Sequence, residues 1–309
     1  MLKYTIKRLL LIIPTLLGVL FIVFAIMNFT PGNPGRQILG ISAKQEQVDQ
    51  LNHELGFDRP FFSRFFSYIG DLAQGDLGIS YRTRQPFADE FFGKLPITLK
   101  LGTWGFVFSS IIGVSLGILS AVKQYSWTDT FSTLAAILFA SIPAFFLGMV
   151  LIYLFGLQLG LLPTHGIDGW KSYVLPVATL TAGGSAAIMR LTRTTMLEAI
   201  RQDYIRTAKA KGCSNARMIW KHALKNAVLP VLTVMGTSFG SILGGAVICE
   251  TVFSIPGLGT YVLTAIRSKD VPVVMSSTVF LAAFFCLVMV VVDLLYAVID
   301  PRIRERVSR

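Results

Sequence analysis

The sequence predicts an all-α membrane protein that crosses the bilayer several times, and three observations support this fold class. Of the 309 residues, 53% are hydrophobic and only 15% are charged, whereas a soluble domain carries about 25% charged residues. The mean hydropathy is +0.63. The hydrophobic residues are also gathered in long runs, so much of the apolar surface must face lipid instead of water.

Six stretches are apolar enough to cross the membrane, since one crossing needs about 20 predominantly apolar residues. The fourth is the weakest, because it is short and contains Pro176 and the pair Gly183-Gly184. The first has an apolar core of roughly 19 residues, longer than the roughly 7–15 of a signal peptide, and is predicted to be a retained helix. The predicted spans are residues 9–29, 99–122, 131–157, 173–189, 227–249 and 274–299.

The positions of lysine and arginine predict the orientation, because short cytoplasmic loops are enriched in these residues. The N-terminal tail, the segment 190–225 and the C-terminal tail are all basic, and the segment 190–225 has nine basic residues against two acidic ones. With six spans, all three segments fall on one side of the membrane. We therefore predict a multi-pass protein of the cell (inner) membrane with both termini in the cytoplasm.

The segment 30–96 is then extracytoplasmic, and its sequence predicts two helices. Ser42 and Gln45 form a capping box before the first helix, and Gly56 ends it. The second helix begins near Pro60, and we expect its apolar face to lie on the bilayer or on the other helices. We interpret this region as a packed lid, with docking of a partner protein as the alternative. The apolar face consists of Phe61, Phe62, Phe65, Phe66, Ile69 and Leu72.

Small residues recur at every fourth position in two predicted spans, a spacing that lets helix backbones approach closely in lipid. Two interpretations are open. The stripes either pack within this chain, or they pack against a second membrane subunit or line a pore. The stripes are Ser109, Gly113, Gly117 and Ala121 in the second span, and Gly236, Gly240 and Gly244 in the fifth.

The sequence lacks the phosphate-binding motif G-x-x-x-x-G-K-[ST] and the metalloprotease motif H-E-x-x-H. The predicted topology separates His53 and His165 from His222, and the three cysteines lack metal-ligand spacing, so neither a metal nor a cofactor site is predicted. Asp293 is the exception to a near absence of ionisable residues in the spans, and we expect it to pair with a basic residue. This scarcity argues against an ion-coupled carrier and favours energy supplied by another protein.

The basic segment predicts a short helical hairpin at the cytoplasmic surface. Residues 203–212 read D-Y-I-R-T-A-K-A-K-G, and a second helical stretch follows at 215–227, before Leu229-Pro230. Gly212 suits the end of the first helix, and Ser214 can cap the second. The residues alone leave two functions open. The hairpin could contact a soluble partner, or it could lie on anionic lipid, which attracts each basic residue by about 1 kcal/mol.

This hairpin resembles the EAA signature of binding-protein-dependent ABC importer permeases, in the form typical of the dipeptide/oligopeptide/nickel branch. Arg206-Thr207-Ala208 stands at the Glu-Ala-Ala positions, and Gly212 follows four residues after the alanine. Leu229-Pro230 comes seventeen residues after the glycine, whereas the general signature has about a dozen. The other segments that resemble this branch are Leu162-Pro163-Thr164, residues 222–227, Pro256-Gly257-Leu258-Gly259, Val292-Asp293-Leu294-Leu295-Tyr296 and Asp300-Pro301-Arg302-Ile303-Arg304.

The resemblance implies a type I ABC importer permease fold with six transmembrane helices, of the first-permease-subunit type. Such a chain is no enzyme. It works with a second permease, two cytoplasmic ATPases that hold ATP and Mg²⁺, and an extracytoplasmic binding protein. The resemblance implies transport of di- or oligopeptides, with nickel, metal chelates or glutathione as alternatives. An ion-coupled carrier or a membrane-bound enzyme would be a function of another class.

The resemblance divides the chain into three parts: residues 1–29, with the first span; the extracytoplasmic region 30–96; and the permease core 97–309, with its coupling loop at about 190–226. It also places the contact with the ATPase in the hairpin, at Tyr204, Arg206, Thr207, Ala208, Lys209, Ala210, Lys211 and Gly212. Small side chains with hydroxyls beside them make the fifth span the candidate translocation path, at Gly236, Thr237, Ser238, Gly240, Ser241 and Gly244.

Overall fold

A computed structural model of the protein describes residues 2–30, 33–40 and 42–299, and within these ranges the regular structure is helical. The resembling segment 300–304 and the basic C-terminal tail lie outside the described residues. The helices are α1 Leu2–Phe29, α2 Pro34–Leu39, α3 Gln45–Glu54, α4 Phe61–Ala73, α5 Phe87–Val122, α6 Trp127–Ser141, α7 Ala144–Leu151, α8 Lys171–Ile200, α9 Asp203–Ala210, α10 Asn215–Arg217, α11 Leu224–Val252, α12 Leu258–Arg267 and α13 Val271–Ile299.

Four of the predicted spans are confirmed as single helices long and apolar enough to cross a membrane. The second and sixth begin earlier than predicted, and the weak fourth span is a continuous helix with Pro176 inside it. The predicted fifth span coincides with α11, but a total of six crossings stays a prediction. The four spanning segments are Arg8–Phe29, Phe87–Val122, Lys171–Ile200 and Val271–Leu294.

The prediction of one uninterrupted span at residues 131–157 is wrong. Helix α6 and the following segment Ala144–Gln158 meet at an angle of 103°. Pro143 causes the break, because it has no N–H to donate and forces the preceding residue out of the helical conformation. Ile142 accordingly has an extended backbone, with φ −78° and ψ 123°. Beyond α7, residues Ile152–Gln158 form a π-helix.

The helices run further than the predicted spans and include ionisable residues beyond the ends of those spans. Helix α8 continues through Arg190 and Arg193, which the prediction placed in a loop, and α11 extends to include Glu250. Asp293 lies half-buried on α13, and its pairing with a basic residue stays a prediction. Neighbouring groups must therefore stabilise each of these charged side chains.

The structure forms two compact units. One contains residues Leu2–Pro96 and Thr260–Leu287, and its core joins α1, α4 and α13 through Leu20, Phe24, Phe65 and Met275. The predicted helix near Pro60 is confirmed, but Phe62 and Phe66 are exposed and are not part of its packed face.

The predicted capping box at Ser42 and Gln45 is wrong. Helix α3 begins at Gln45, and the Lys44 N–H donates to Oε1 of Gln47 at 3.3 Å. The predicted end of this helix is confirmed, since Gly56 has a φ of +70°, which favours glycine.

The other unit contains residues Ile97–Gly259 and the chain from Val288, and α8 packs there against α6, α7 and α11. The small-residue stripe of α5 lies against α8. A Cβ added at Gly113 would be 2.8 Å from Cβ of Ile188, and one at Gly117 would be 2.6 Å from Cβ of Thr192. This stripe therefore packs within the chain, because any larger side chain would separate the two helices.

Candidate coupling hairpin and translocation path

The predicted hairpin is present, with both of its capping residues in place. Helix α9 ends at Ala210, and Gly212 terminates it with a φ of +76° and an N–H that donates to the carbonyl of Lys209 at 3.0 Å. The Ser214 hydroxyl then accepts the Arg217 N–H at 3.4 Å and caps the second arm. That arm runs from α10 through the π-helix Met218–Ala223 into α11 without a break. The hairpin is thus rigidly continuous with the next long helix.

A small apolar contact anchors the hairpin. Ile205 is the buried residue of α9, with 6% of its surface exposed. It packs with Ala223 of the second arm, with Met196 and Ala199 of α8, and with Ile118 of α5. Full burial of such a side chain contributes about 1.5–3 kcal/mol, so one residue accounts for much of the attachment of α9.

The opposite face of the hairpin is exposed and basic. Arg206 and Asp203 form an exposed pair at 3.5 Å, and an exposed ion pair contributes little to stability. Trp220 on the second arm is 61% exposed, and the sequence analysis did not single it out. Of the predicted coupling residues, Ala208 is half-buried, and the exposed ones are Tyr204, Arg206, Thr207, Lys209, Ala210, Lys211 and Gly212.

An ion pair between Asp129 and Arg193 connects α6 and α8. Asp129 is 4% exposed, and Nε and Nη2 of Arg193 donate to its two carboxylate oxygens at 2.7 and 2.9 Å. The Ser120 hydroxyl of α5 and the Tyr125 N–H also donate to Asp129. Because the partners lie far apart in sequence, no local pattern predicted this pair. Removing one partner of such a buried pair costs about 3–5 kcal/mol.

Glu250 lies near the C-terminal end of α11, and the sequence analysis did not single it out either. It is fully buried, and the Thr98 hydroxyl donates to its Oε1 at 2.5 Å. The Thr98 oxygen in turn accepts the Leu258 N–H at 2.8 Å. A Cβ at Gly257 or Gly259 would collide with the Glu250 carboxylate. The glycines of the Pro256-Gly257-Leu258-Gly259 segment therefore permit a close approach to this buried group.

The candidate path residues on α11 occupy different environments. Gly236 is buried, and a Cβ there would be 2.5 Å from Cγ2 of Val292, so it packs against α13 of the same chain. Gly240 and Ser238 are half-buried, whereas Gly244 is exposed with nothing within 4 Å of an added Cβ. Thr237 is exposed, and its hydroxyl donates to the carbonyl of Thr233 at 3.2 Å. The side chain of Ser241 lies outside the described part of the structure.

Long apolar helices, with a basic hairpin joined to one of them, describe a helical protein that crosses the membrane several times. The chain belongs to the family of binding-protein-dependent transport system inner membrane components. The model of this family matches residues 113–305, and the model of its N-terminal region matches residues 1–102. The chain is thus an ABC importer permease of the dipeptide/oligopeptide branch.

Relatives match over the full length of the chain. It is 42% identical to the glutathione transport system permease protein GsiC of Escherichia coli, over 99% of this chain and 100% of the relative. It is 41% identical to the dipeptide transport system permease protein DppB of Alkalihalophilus pseudofirmus, over 98% and 100%.

Solved structures confirm the fold. The inward-facing MetNI methionine ABC transporter matches with a TM-score of 0.57 at 18% identity, over 70% of this chain and 98% of that chain. An amino acid ABC transporter crystallised with histidines matches with a TM-score of 0.52 at 16% identity, over 70% and 95%. The predicted type I importer fold is therefore correct.

Proposed function

We propose that this permease, together with a second permease subunit, passes di- and oligopeptides that an extracytoplasmic binding protein delivers. The observation that carries the substrate class is the full-length similarity to permeases named for dipeptide and for glutathione transport. Glutathione is itself a tripeptide, so both names describe short peptides. Nickel and metal chelates are alternatives that no observation on this chain favours.

Uptake measurements in cells test this substrate class. A strain lacking the chain is compared with the same strain carrying it, using labelled dipeptide, oligopeptide, glutathione and Ni²⁺. We expect the chain to restore uptake of at least one short peptide and to leave Ni²⁺ uptake unchanged. Restored uptake of Ni²⁺ alone would overturn the proposal.

The hairpin is the proposed contact with the ATPases, and its exposed basic face supports this role. Helix α9 exposes its charged residues and buries only Ile205 against the permease, so its polar groups are available to a soluble partner. In this mechanism, ATP binding closes the ATPase dimer and moves the hairpin. The unbroken second arm carries that movement into α11. The permease itself catalyses no reaction, and ATP and Mg²⁺ bind to the ATPases.

Both termini lie in the cytoplasm in this proposal, with residues 30–96 on the opposite side of the membrane from the hairpin. The excess of basic residues in the segment 190–225 supports this orientation. Reporter fusions at Gln50 and Gln202 should report opposite sides. Reporters on the same side would contradict the topology and the position of the hairpin.

The substrate path is proposed to follow the half-buried and exposed part of α11, at Ser238, Gly240 and Gly244. Gly236 contributes packing against Val292 instead. The weakly polar wall suits a conduit, because a separate binding protein supplies the affinity. A cysteine at Gly240 should react with a water-soluble reagent to an extent that changes with ATP. A cysteine at Gly236 is the matched control, and equal reactivity of both in all states would remove this assignment.

A further inference from the structure

A cavity of about 200 Å³ at the C-terminal end of α1 has two basic side chains in its wall, Arg64 of α4 and Lys269. It lies within one compact unit, at the end of the spanning segment Arg8–Phe29. The remaining wall is mostly apolar and neutral. It consists of Phe24, Met27, Asn28, Thr30, Pro34, Phe57 and Val271.

Lys269 is buried in a backbone conformation that lysine rarely adopts. It is 6% exposed and has a φ of +50°, in the left-handed region that favours glycine. Its amine donates to the carbonyl oxygen of Thr30, an uncharged acceptor. This conformation terminates α12, where the Asp270 N–H donates to the carbonyl of Ala265 at 2.8 Å and fixes the position of Lys269.

Arg64 is held by neutral groups in the same way. Its Nη1 donates to Oδ1 of Asn28 at 2.7 Å, and its guanidinium lies over the rings of Phe57 and Phe24, at 4.8 and 5.6 Å from their centroids. A guanidinium has five N–H donors in a planar fork that fits carboxylate and phosphate. The aromatic rings orient this fork while leaving most of its donors for another partner.

Neither cation is paired with a carboxylate in the part of the chain that the structure describes. Asp270 follows Lys269, but it accepts the Ser80 hydroxyl and the N–H groups of Tyr81 and Arg82. Asp71 lines an adjoining cavity with Arg64 without forming an ion pair. Burial lowers the pKa of both Lys269 and Arg64, because removal from water disfavours their charged forms.

We propose that Arg64 and Lys269 bind one oxyanion in this cavity, and that its source is the phosphate of a membrane phospholipid. An anion would offset the burial of two positive charges that have only neutral acceptors. The volume equals that of roughly six or seven water molecules at about 30 Å³ each, which is enough for a phosphate group with a few waters. The position at the end of a spanning helix favours a lipid headgroup over a dissolved anion of the same chemistry.

Lipid retention tests the source of the anion. The full-length chain is purified in detergent, and bound phospholipid is counted by native mass spectrometry. We expect one retained phospholipid in the wild type and its loss in Arg64→Gln and in Lys269→Gln. Arg84→Gln, which changes an exposed arginine of the same unit, is the matched control and should keep the lipid.

Anion-dependent unfolding tests the site itself and distinguishes the two sources. Delipidated chain is heated with increasing inorganic phosphate at constant ionic strength. We expect a saturable rise in the unfolding temperature, with half-saturation about tenfold weaker or more in either Gln variant and partly recovered in Arg64→Lys. A phosphate response without retained lipid would replace the lipid with a dissolved anion as the ligand. The proposed site would be overturned if the wild type neither retained lipid nor responded to phosphate. Equal responses in the wild type and both Gln variants would overturn it as well.

Discussion

The two ends of α11 are held in opposite ways. At the N-terminal end, Ile205 anchors the hairpin, and the charged residues of the hairpin are exposed on the protein surface. At the C-terminal end, the Glu250 carboxylate is fully buried, bonded to Thr98 and enclosed by two glycines. Polar groups bonded within the chain are not available to another protein, whereas exposed ones are. The comparison therefore supports the proposed partner contact at the hairpin, whereas the Glu250 end is a fixed attachment within the chain.

Truncation of the hairpin anchor should have the largest effect. We expect Ile205→Ala to loosen α9 by about 2–5 kcal/mol, because it removes the buried contact with α8 and α5. Amide hydrogen exchange over residues 203–212 measures this change, since local opening exposes those amides. Ala210→Ser, an exposed change in the same helix, is the control. Unchanged exchange in Ile205→Ala would show that other contacts hold the hairpin.

A side chain at Gly259 should destabilise the other end. A Cβ there would be 2.6 Å from the backbone Cα of Val247, and backbone cannot move aside as a flexible side chain can. We expect Gly259→Ala to lower the free energy of unfolding by about 1–3 kcal/mol, measured by thermal unfolding in detergent. Gly244→Ala is the matched control, because nothing lies within 4 Å of its added Cβ. Equal stability of both variants would contradict the close packing around Glu250.

Removal of the Thr98 hydroxyl should lower the free energy of unfolding by a similar or smaller amount. Thr98→Val keeps the shape but removes the donor to Glu250 and the acceptor for the Leu258 N–H. We expect a loss of about 1–3 kcal/mol of unfolding free energy, because buried polar groups lose their partner. Thr98→Ser restores the hydroxyl and should recover most of the loss. A valine variant as stable as wild type would mean that this bond does not hold the end of α11.

The smallest effect on stability is expected on the exposed face of the hairpin. We expect Lys209→Gln combined with Lys211→Gln to change the unfolding free energy by less than about 0.5 kcal/mol, as for other exposed substitutions. Binding of the ATPases should nevertheless weaken, which co-purification at increasing salt measures. Unaltered co-purification at every salt concentration would remove these lysines from the contact.

Local patterns in the sequence predicted the local features of this fold. The apolar runs located the spanning helices, and Gly212 and Ser214 located the turn of the hairpin, because each acts on its neighbours along the chain. Pro143 carried an equally local signal for the bend in the third predicted span, but the prediction weighed only hydrophobicity. The bend could therefore have been found from the sequence.

Pairings between distant segments could not be predicted in this way. Asp129 meets Arg193, and Thr98 meets Glu250, only once the helices have packed. The spacing of small residues in α5 left open which helix they face, and the structure places α8 there. The candidate path on α11 shows the same limit, because an identical glycine spacing gives one buried and one exposed position.

The coupling of ATP hydrolysis to transport through Gly212 tests the central claim most directly. Gly212 has a φ of +76°, so Gly212→Val should distort the hairpin turn, whereas Gly75→Val places the same strain, at φ +84°, outside the hairpin. In proteoliposomes containing the assembled importer, we measure the ratio of ATP hydrolysed to substrate transported. We predict that Gly212→Val keeps hydrolysis but loses most uptake, while Gly75→Val keeps the wild-type ratio. A wild-type ratio in an assembled Gly212→Val importer would contradict the account.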